Sequence, residues 1–291
     1  LILPIETGFF HPLNYSGVIT FKAGLDGNII NDGVERYKSL NQQHLRPLFQ
    51  GADGNRQYLA VRTTQSGIII AEAAAYDCLE NEDPLDVDME VIQAPGMVSG
   101  LFSINALEGS EYSLVKRVAI YTSKPDDTAD PLPASLDAIG KAGSFDELLF
   151  ESMDAWDELW SDMDMIVEDD MESQKLIRLH LYHLLVSMSP NNSALDASIT
   201  ARGLHGEAYR GHIFWDELFI MPLYDLHLPD TAKAMLMYRY NRLDKARAYA
   251  KQHGYKGAMY PWQSGSDGRE ETQIIHLNPL SGNWDPDHSS L

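Results

Sequence analysis

Apolar and polar positions repeat with two different periods along the chain. Up to about residue 125, short stretches rich in β-branched and aromatic residues are separated by glycine-containing turns. Residues 17–21, 58–63, 68–74 and 112–122 are such stretches, and Asp26-Gly27, Asp53-Gly54 and Glu108-Gly109 lie between them. Glycine accepts positive φ cheaply, so these dipeptides read as hairpin or loop signals and the region as antiparallel β. Several strands at this spacing imply a sandwich rather than a βαβ fold. Residues 124–134 hold three prolines and three aspartates in eleven positions, which suits neither a strand ladder nor a helix interior, and they read as a linker.

After the linker the period changes to about 3.6. Residues 144–160 predict a helix with Ser144 as N-cap and Glu147 three residues on, a capping box. Residues 174–188 are amphipathic, with Ile177, Leu181, Leu184, Leu185 and Met188 on one face, and stop before Pro190. A further helix is expected over 231–253, with Asp230 as N-cap and Gly254 just past its end.

Composition narrows the function classes. The 291 residues are 44% hydrophobic and 22% charged, a globular composition. Twenty-two basic against 43 acidic residues give a formal charge of −21, which repels nucleic acid and anionic membrane surfaces alike. No apolar run approaches the roughly 18 residues that a membrane span needs. The single cysteine, Cys78, excludes an internal disulfide or a multi-cysteine metal site and reads as a small buried residue. A reducing compartment suits it, so the cytoplasm is favoured, with the periplasm left open. No signal peptide is visible, but the chain opens at Leu1, and a targeting signal could have been trimmed away.

Two segments concentrate chemistry. Residues 201–217 (ARGLHGEAYRGHIFWDE) combine glycines, His205, His212, arginines, aromatic rings and carboxylates. Trp215 offers an apolar face to sugar C–H groups, and Asp216 can accept from paired hydroxyls. Alternatively, Asp216 caps the helix starting at Glu217 while Phe214 and Trp215 enter the core. Residues 258–271 (AMYPWQSGSDGREE) repeat the combination with Tyr260, Trp262, Gln263, Asp267, Arg269, Glu270 and Glu271; the plainer reading is a polar loop with one buried tryptophan. Loops at the ends of successive helices would converge on one pocket. Asp285, Asp287 and His288 lie in a proline-broken loop without ligand spacing, and His205 and His212 are seven apart, so no metal is expected. Neither a nucleophile elbow nor a phosphate-binding glycine loop follows a strand.

The segments 206–216 (GEAYRGHIFWD) and 254–264 (GYKGAMYPWQS) resemble glycoside hydrolase family 65, the maltose, trehalose and kojibiose phosphorylases and related α-glucoside hydrolases. Residues 156–160 (WDELW), 237–243 (MYRYNRL) and 268–272 (GREET) support the resemblance, with fainter echoes at 7–10 and 36–40. It implies an α+β multidomain protein: an antiparallel β-sandwich over 1–125, incomplete at its N-terminus; a linker with helices over 126–172; and the first part of an (α/α)6 catalytic barrel over 173–291, incomplete at its C-terminus. By the same resemblance Trp215 and Asp216 hold the transferred glucosyl unit. Trp262, Gln263 and Glu271 stand near that pocket or the leaving-group subsite, and Arg210 joins the substrate contacts. The family inverts at the anomeric carbon. Its general acid follows in a Gly-Pro-Asp-Glu-like motif that these residues do not contain, so no catalytic residue is expected here, and this piece alone should catalyse nothing.

The form of residues 214–218 (FWDEL), with 262–268 and 276–279, tilts the expectation towards an inverting hydrolase of α-glucosyl disaccharides of the trehalose, kojibiose or maltose type. The alternatives are a phosphorylase releasing β-glucose 1-phosphate and, from another class, a non-catalytic carbohydrate-binding protein. The expected partner is a small-molecule disaccharide, with no nucleic acid and no membrane; a homodimer is left open. No cofactor is expected, inorganic phosphate being a co-substrate if the protein is a phosphorylase.

Overall fold

The computed structural model describes residues 4–37, 42–124, 130–203, 206–272, 275–278 and 280–286. It divides into two compact units, one of residues 1–30 with 43–155, the other of residues 31–42 with 156–291.

Among the described residues the first unit is built on nine strands: β1 (Ile5–Phe10), β2 (Gly17–Asp26), β3 (Leu45–Asp53), β4 (Arg56–Thr63), β5 (Ile69–Glu80), β6 (Asp83–Leu85), β7 (Met89–Ala94), β8 (Met97–Ala106) and β9 (Tyr112–Thr122). One antiparallel sheet runs β1-β9-β5-β4-β3 with β6 added beside β5, and a second runs β2-β8-β7. Their inner faces share a core of Leu25, Leu59, Val61, Tyr76, Val98, Phe102 and Val118, which makes the pair a sandwich. The expected antiparallel β-sandwich is what the chain forms.

Strand β5 explains a run that simple alternation does not. Ala71, Ala73, Ala74 and Ala75 are all buried because both faces of the strand are covered. Ala74 and Tyr76 face the sandwich core. Ala73 and Ala75, with Ala119 of β9, pack against Ile139 of helix α1 (Pro131–Lys141), and small side chains let that helix come close. Arg117 fastens the end of α1 by donating to the carbonyls of Ala142 and Gly143 at 3.1 and 2.9 Å, and it also pairs with Asp77. Cys78 is buried, and burial, helped by Asp77, pushes its thiol up to about 11. It stays a protonated small side chain, as read from the sequence.

Helix α1 corrects the linker reading. Pro131 and Pro133 lie inside its first turn, where the missing N–H groups would have had no helical partner. Residues 125–129 of that segment lie outside the described residues.

Helix α2 (Phe145–Met163) begins with the expected capping box: Ser144 N donates to Glu147 Oε2 at 2.8 Å, and Glu147 N donates back to Ser144 Oγ at 3.3 Å. Helix α3 (Met171–Ser187) starts earlier than its apolar face indicates, because Asp170 caps the amides of Glu172 and Ser173. Then follow α4 (Glu217–His227), α5 (Pro229–Tyr240) and α6 (Leu243–Gln252). Met188, Ile199, Tyr224, Ala232 and Met235 form one core of the second unit; Met163, Leu181 and Leu185 form another with Trp156 and Trp160 beside them.

The single helix expected over 231–253 is two helices. The chain breaks at Asn241 and Arg242, and Leu228, not Asp230, occupies the N-cap position of α5. Arg242 is the physical reason for the break. Its guanidinium is turned inward, where it takes Asp196 in a fork at 3.0 and 2.9 Å and also meets the Ser266 carbonyl. Gly254, at φ +77, follows the end of α6 as expected.

Candidate functional site

The two chemistry-rich segments are joined by a ladder that their sequences do not advertise. Strand β10 (Ile213–Phe214) pairs antiparallel with β11 (Gln263–Ser264), setting Phe214 opposite Gln263 and Ile213 opposite Ser264. Trp215 and Trp262, the next residue outward on each strand, therefore meet: their ring centroids are 5.2 Å apart and tilted by 41°. They stay 39% and 41% exposed, whereas Phe214 is buried. The reading that sent both Phe214 and Trp215 into the core thus holds for Phe214 alone.

Asp216 stands at the N-cap position of α4 with helical dihedrals, and its side chain makes no capping hydrogen bond. Asp216 is exposed and directly follows Trp215 in the chain. The capping alternative is not what the chain forms.

The carboxylate that holds α4 is Glu217, which is 5% exposed. Ser198 Oγ donates to it at 3.0 Å, and Arg239 Nε of α5 donates at 2.7 Å. Arg239 also lies over the Tyr260 ring at 5.6 Å, so this buried ion pair reaches the second segment. A buried pair of this kind holds only because both charges are hydrogen-bonded. Sequence reasoning passed over Glu217 because its partners, Ser198 and Arg239, are distant in the chain.

Upstream of β10 the backbone is strained. Tyr209 (φ 62) and Arg210 (φ 55) precede Gly211 (φ 65), three successive residues in the left-handed region. Each non-glycine residue there costs on the order of 1 kcal/mol, so surrounding contacts must enforce the turn. Tyr209 packs edge-on against Phe214 at 5.2 Å. Arg210 Nη2 donates to the Glu271 carbonyl at 2.7 Å, and its guanidinium lies 5.5 Å from the Tyr37 ring centroid. Its Nε is buried without a partner among the described residues. Arg210 thus ties the first segment to the second.

The second segment is organised by Glu270. Its carboxylate accepts from the backbone amides of Trp262 (2.9 Å), Gln263 (3.3 Å) and Thr272 (3.0 Å), and from the Thr272 hydroxyl (2.6 Å). It therefore fixes the loop instead of facing a ligand. Glu271 N donates to the Gln263 carbonyl at 2.9 Å, while its carboxylate, half-buried, meets Arg269 at 3.4 Å. Tyr238, fully buried, bonds Ser264 Oγ at 2.9 Å and the Gly265 carbonyl at 2.6 Å, and Arg242 stacks on its ring at 3.8 Å. Gly268 (φ +74) closes the loop against Arg242, whose Cδ would stand 2.5 Å from any Cβ there.

Gln263 is buried, and its Nε2 donates to His212 Nδ1 at 2.5 Å. Burial, with repulsion from Arg210 adding to it, lowers the His212 imidazole to about 4, so the ring is neutral near pH 7. The cluster thus offers two indole faces, a carboxylate with no side-chain partner among the described residues and an amide held in place, a set suited to a ring-shaped ligand rich in hydroxyls. His205, Asp287 and His288 lie outside the described residues, as does the side chain of Asp285. Among the described residues no group of three or more histidine, cysteine or acidic side chains gathers as a metal site would require.

The architecture is a two-sheet antiparallel sandwich followed by helices, with ring-and-carboxylate loops joined by a short ladder. The model of the glycosyl hydrolase family 65 N-terminal domain matches residues 8–159, and that of the family's central catalytic domain matches residues 178–291. The chain belongs to glycosyl hydrolase family 65.

Its relatives include an uncharacterized glycosyl hydrolase of Mycobacterium tuberculosis, 40% identical over 95% of this chain and 21% of the relative. The trehalose 6-phosphate phosphorylase of Lactococcus lactis is 33% identical over 98% of this chain and 38% of its own length. The kojibiose phosphorylase of Halothermothrix orenii is 34% identical over 90% and 34%. A solved structure described as a candidate kojibiose phosphorylase from the human microbiome shares the fold, with a TM-score of 0.79 at 21% identity over 93% of this chain and 34% of that one. The chain thus spans well under half the length of the relatives it matches.

Proposed function

We propose that the full-length protein to which this chain belongs is an inverting, phosphate-dependent α-glucoside phosphorylase. The exposed Trp215–Trp262 pair, with the exposed, non-capping Asp216 directly after Trp215, is the observation that carries a glucosyl-binding role. Membership of a family whose characterised relatives here are trehalose 6-phosphate, kojibiose and trehalose phosphorylases supports phosphorolysis over the hydrolysis expected from sequence.

In this reading the indole faces of Trp215 and Trp262 pack on the C–H surface of the glucosyl unit. Asp216 accepts from its hydroxyls, with Gln263 and Glu271 nearby, and Arg210 holds the two segments together. A phosphate oxygen attacks the anomeric carbon as the glycosidic C–O bond breaks from the opposite face, and a general acid protonates the departing oxygen. By family resemblance that acid and the phosphate site lie outside these residues. No cofactor enters the scheme; inorganic phosphate is a co-substrate.

The test is to incubate the full-length protein with trehalose, trehalose 6-phosphate, maltose, kojibiose and nigerose, with and without inorganic phosphate. β-Glucose 1-phosphate formed only with phosphate is the expected result. Free glucose released without phosphate would restore the hydrolase, and binding without turnover would leave a carbohydrate-binding protein.

A further inference from the structure

We infer that His212 is a positioning residue that orients the Gln263 side-chain amide, turning the Gln263 carbonyl oxygen towards a hydroxyl of the bound sugar. The inference rests on the glucosyl-binding reading of the cluster.

The geometry begins with the ladder. With Phe214 opposite Gln263 and Ile213 opposite Ser264, His212 falls level with Gly265, on the same side as Gln263. A Cβ on Gly265 would stand 3.6 Å from His212 Cδ2 and Nε2, so the imidazole lies over that glycine and diagonally across from Gln263. Its backbone is held at both ends: His212 N donates to the Tyr209 carbonyl at 3.0 Å, and its carbonyl accepts from Ala201 at 3.2 Å. The left-handed turn at Tyr209 to Gly211, latched by Arg210 on Glu271, delivers the ring to this place.

A side-chain amide has a donating end and an accepting end of nearly equal size, and a neighbour must choose between its two orientations. Here the choice falls to an imidazole whose Nδ1, 2.5 Å from Gln263 Nε2, accepts only when the ring is neutral and its proton sits on Nε2. Burial keeps the ring neutral. Gln263 Nε2 is thereby engaged, whereas Gln263 Oε1 has no partner among the described residues although the side chain is buried. Gln263 Oε1 itself is not one of the fully buried polar atoms without a partner, so it keeps access to solvent. An open acceptor beside Trp262 can take a donor from a ligand, and a sugar hydroxyl is such a donor. Among the described residues nothing else in the cluster selects the amide orientation: Glu270 binds the Gln263 backbone, not its side chain.

The experiment uses the full-length protein and the variants His212→Leu, His212→Asn, Gln263→Ala and the double variant His212→Leu with Gln263→Ala. Asparagine places an acceptor near the position of Nδ1, whereas leucine fills space without one. His212→Leu should lower kcat/KM about 10- to 100-fold, the scale of a misplaced binding group, and His212→Asn should recover most of that loss. Adding His212→Leu to Gln263→Ala should cost less than about twofold more, because coupled residues are not additive.

Two readouts do not need turnover. A crystal structure of His212→Leu should show the Gln263 amide reversed or split with the Phe214–Gln263 ladder intact, and 15N NMR of the wild type should show His212 protonated at Nε2 only. Equal losses in the leucine and asparagine variants, multiplicative losses in the double variant, or an Nδ1-protonated ring would each overturn the inference. If the wild type turns over no α-glucoside, the proposed function fails by itself, and the amide orientation and the tautomer still decide the role of His212.

Discussion

The sandwich and the site loops hold their shapes by different means. In the first unit the core is apolar side chains from two sheets, and the buried amide of Gln57 is satisfied locally, accepting from Tyr76 at 3.0 Å. Around β10 and β11 the buried Ile213 and Phe214 are joined by buried polar and charged groups held by specific partners: Glu217 with Arg239, Arg242 with Asp196, Gln263 with His212. Apolar contacts are non-directional and tolerate small shifts, whereas hydrogen-bonded charges hold side chains at defined distances and angles. In the proposed reading, a surface that presents Trp215, Asp216 and Trp262 together gains from the second kind of support. It is also more easily broken, since removal of one partner strands the other.

The sharpest way to break the contrast is Glu217→Ala. It would leave Arg239 buried without its carboxylate and should cost about 3–5 kcal/mol in urea unfolding of the full-length protein, as broken buried pairs do. A loss below about 1 kcal/mol would mean that the loops rest on apolar packing after all. Asp216→Asn, one residue earlier, should act oppositely. Its carboxylate caps nothing, so the midpoint of unfolding should not move, while kcat/KM for the glucosyl donor should fall on the order of 100-fold, about 2.7 kcal/mol. Unchanged kinetics with lowered stability would return Asp216 to the helix end.

What the sequence discloses follows the same division. The four stretches read as strands and the capping box at Ser144 are written in local periods and short spacings, and they are where the reading placed them. The all-alanine stretch of β5 was read as strand, but a period-two pattern has no way to announce that α1 covers the second face. The break between α5 and α6 was invisible because its cause, the Arg242–Asp196 fork, spans 46 residues. Glu217–Arg239 spans 22 residues and the His212–Gln263 bond spans 51, so neither leaves a local period. Residue composition marked both segments as chemical; only the fold separates Glu270, which staples the loop, from Asp216, which stays open.

Within the sandwich the expected losses are smaller and should not touch function. Ala73→Leu adds bulk where β5 meets α1, and overpacking there should cost about 1–3 kcal/mol. Turnover per folded molecule should be unchanged. A fall in kcat with full stability would show that the sandwich does more than support itself, which would undo the comparison.

The smallest effect tests local against distant support at the start of α2. Ser144→Ala removes the hydroxyl half of the capping box and should cost about 1 kcal/mol at neutral pH. The Glu147 carboxyl is held below its usual range, first by the Ser144 backbone N–H and then by the Ser144 hydroxyl. A carboxylate depressed on folding contributes stability that is present above its unfolded value, about 4.5, and lost as pH falls through the lower folded value. The difference between wild type and Ser144→Ala should therefore be full at pH 7 and narrow below pH 4.5, measured by urea titration at each pH. A difference that stayed constant into acid would mean that the serine acts without Glu147, as a lone cap on the helix amide.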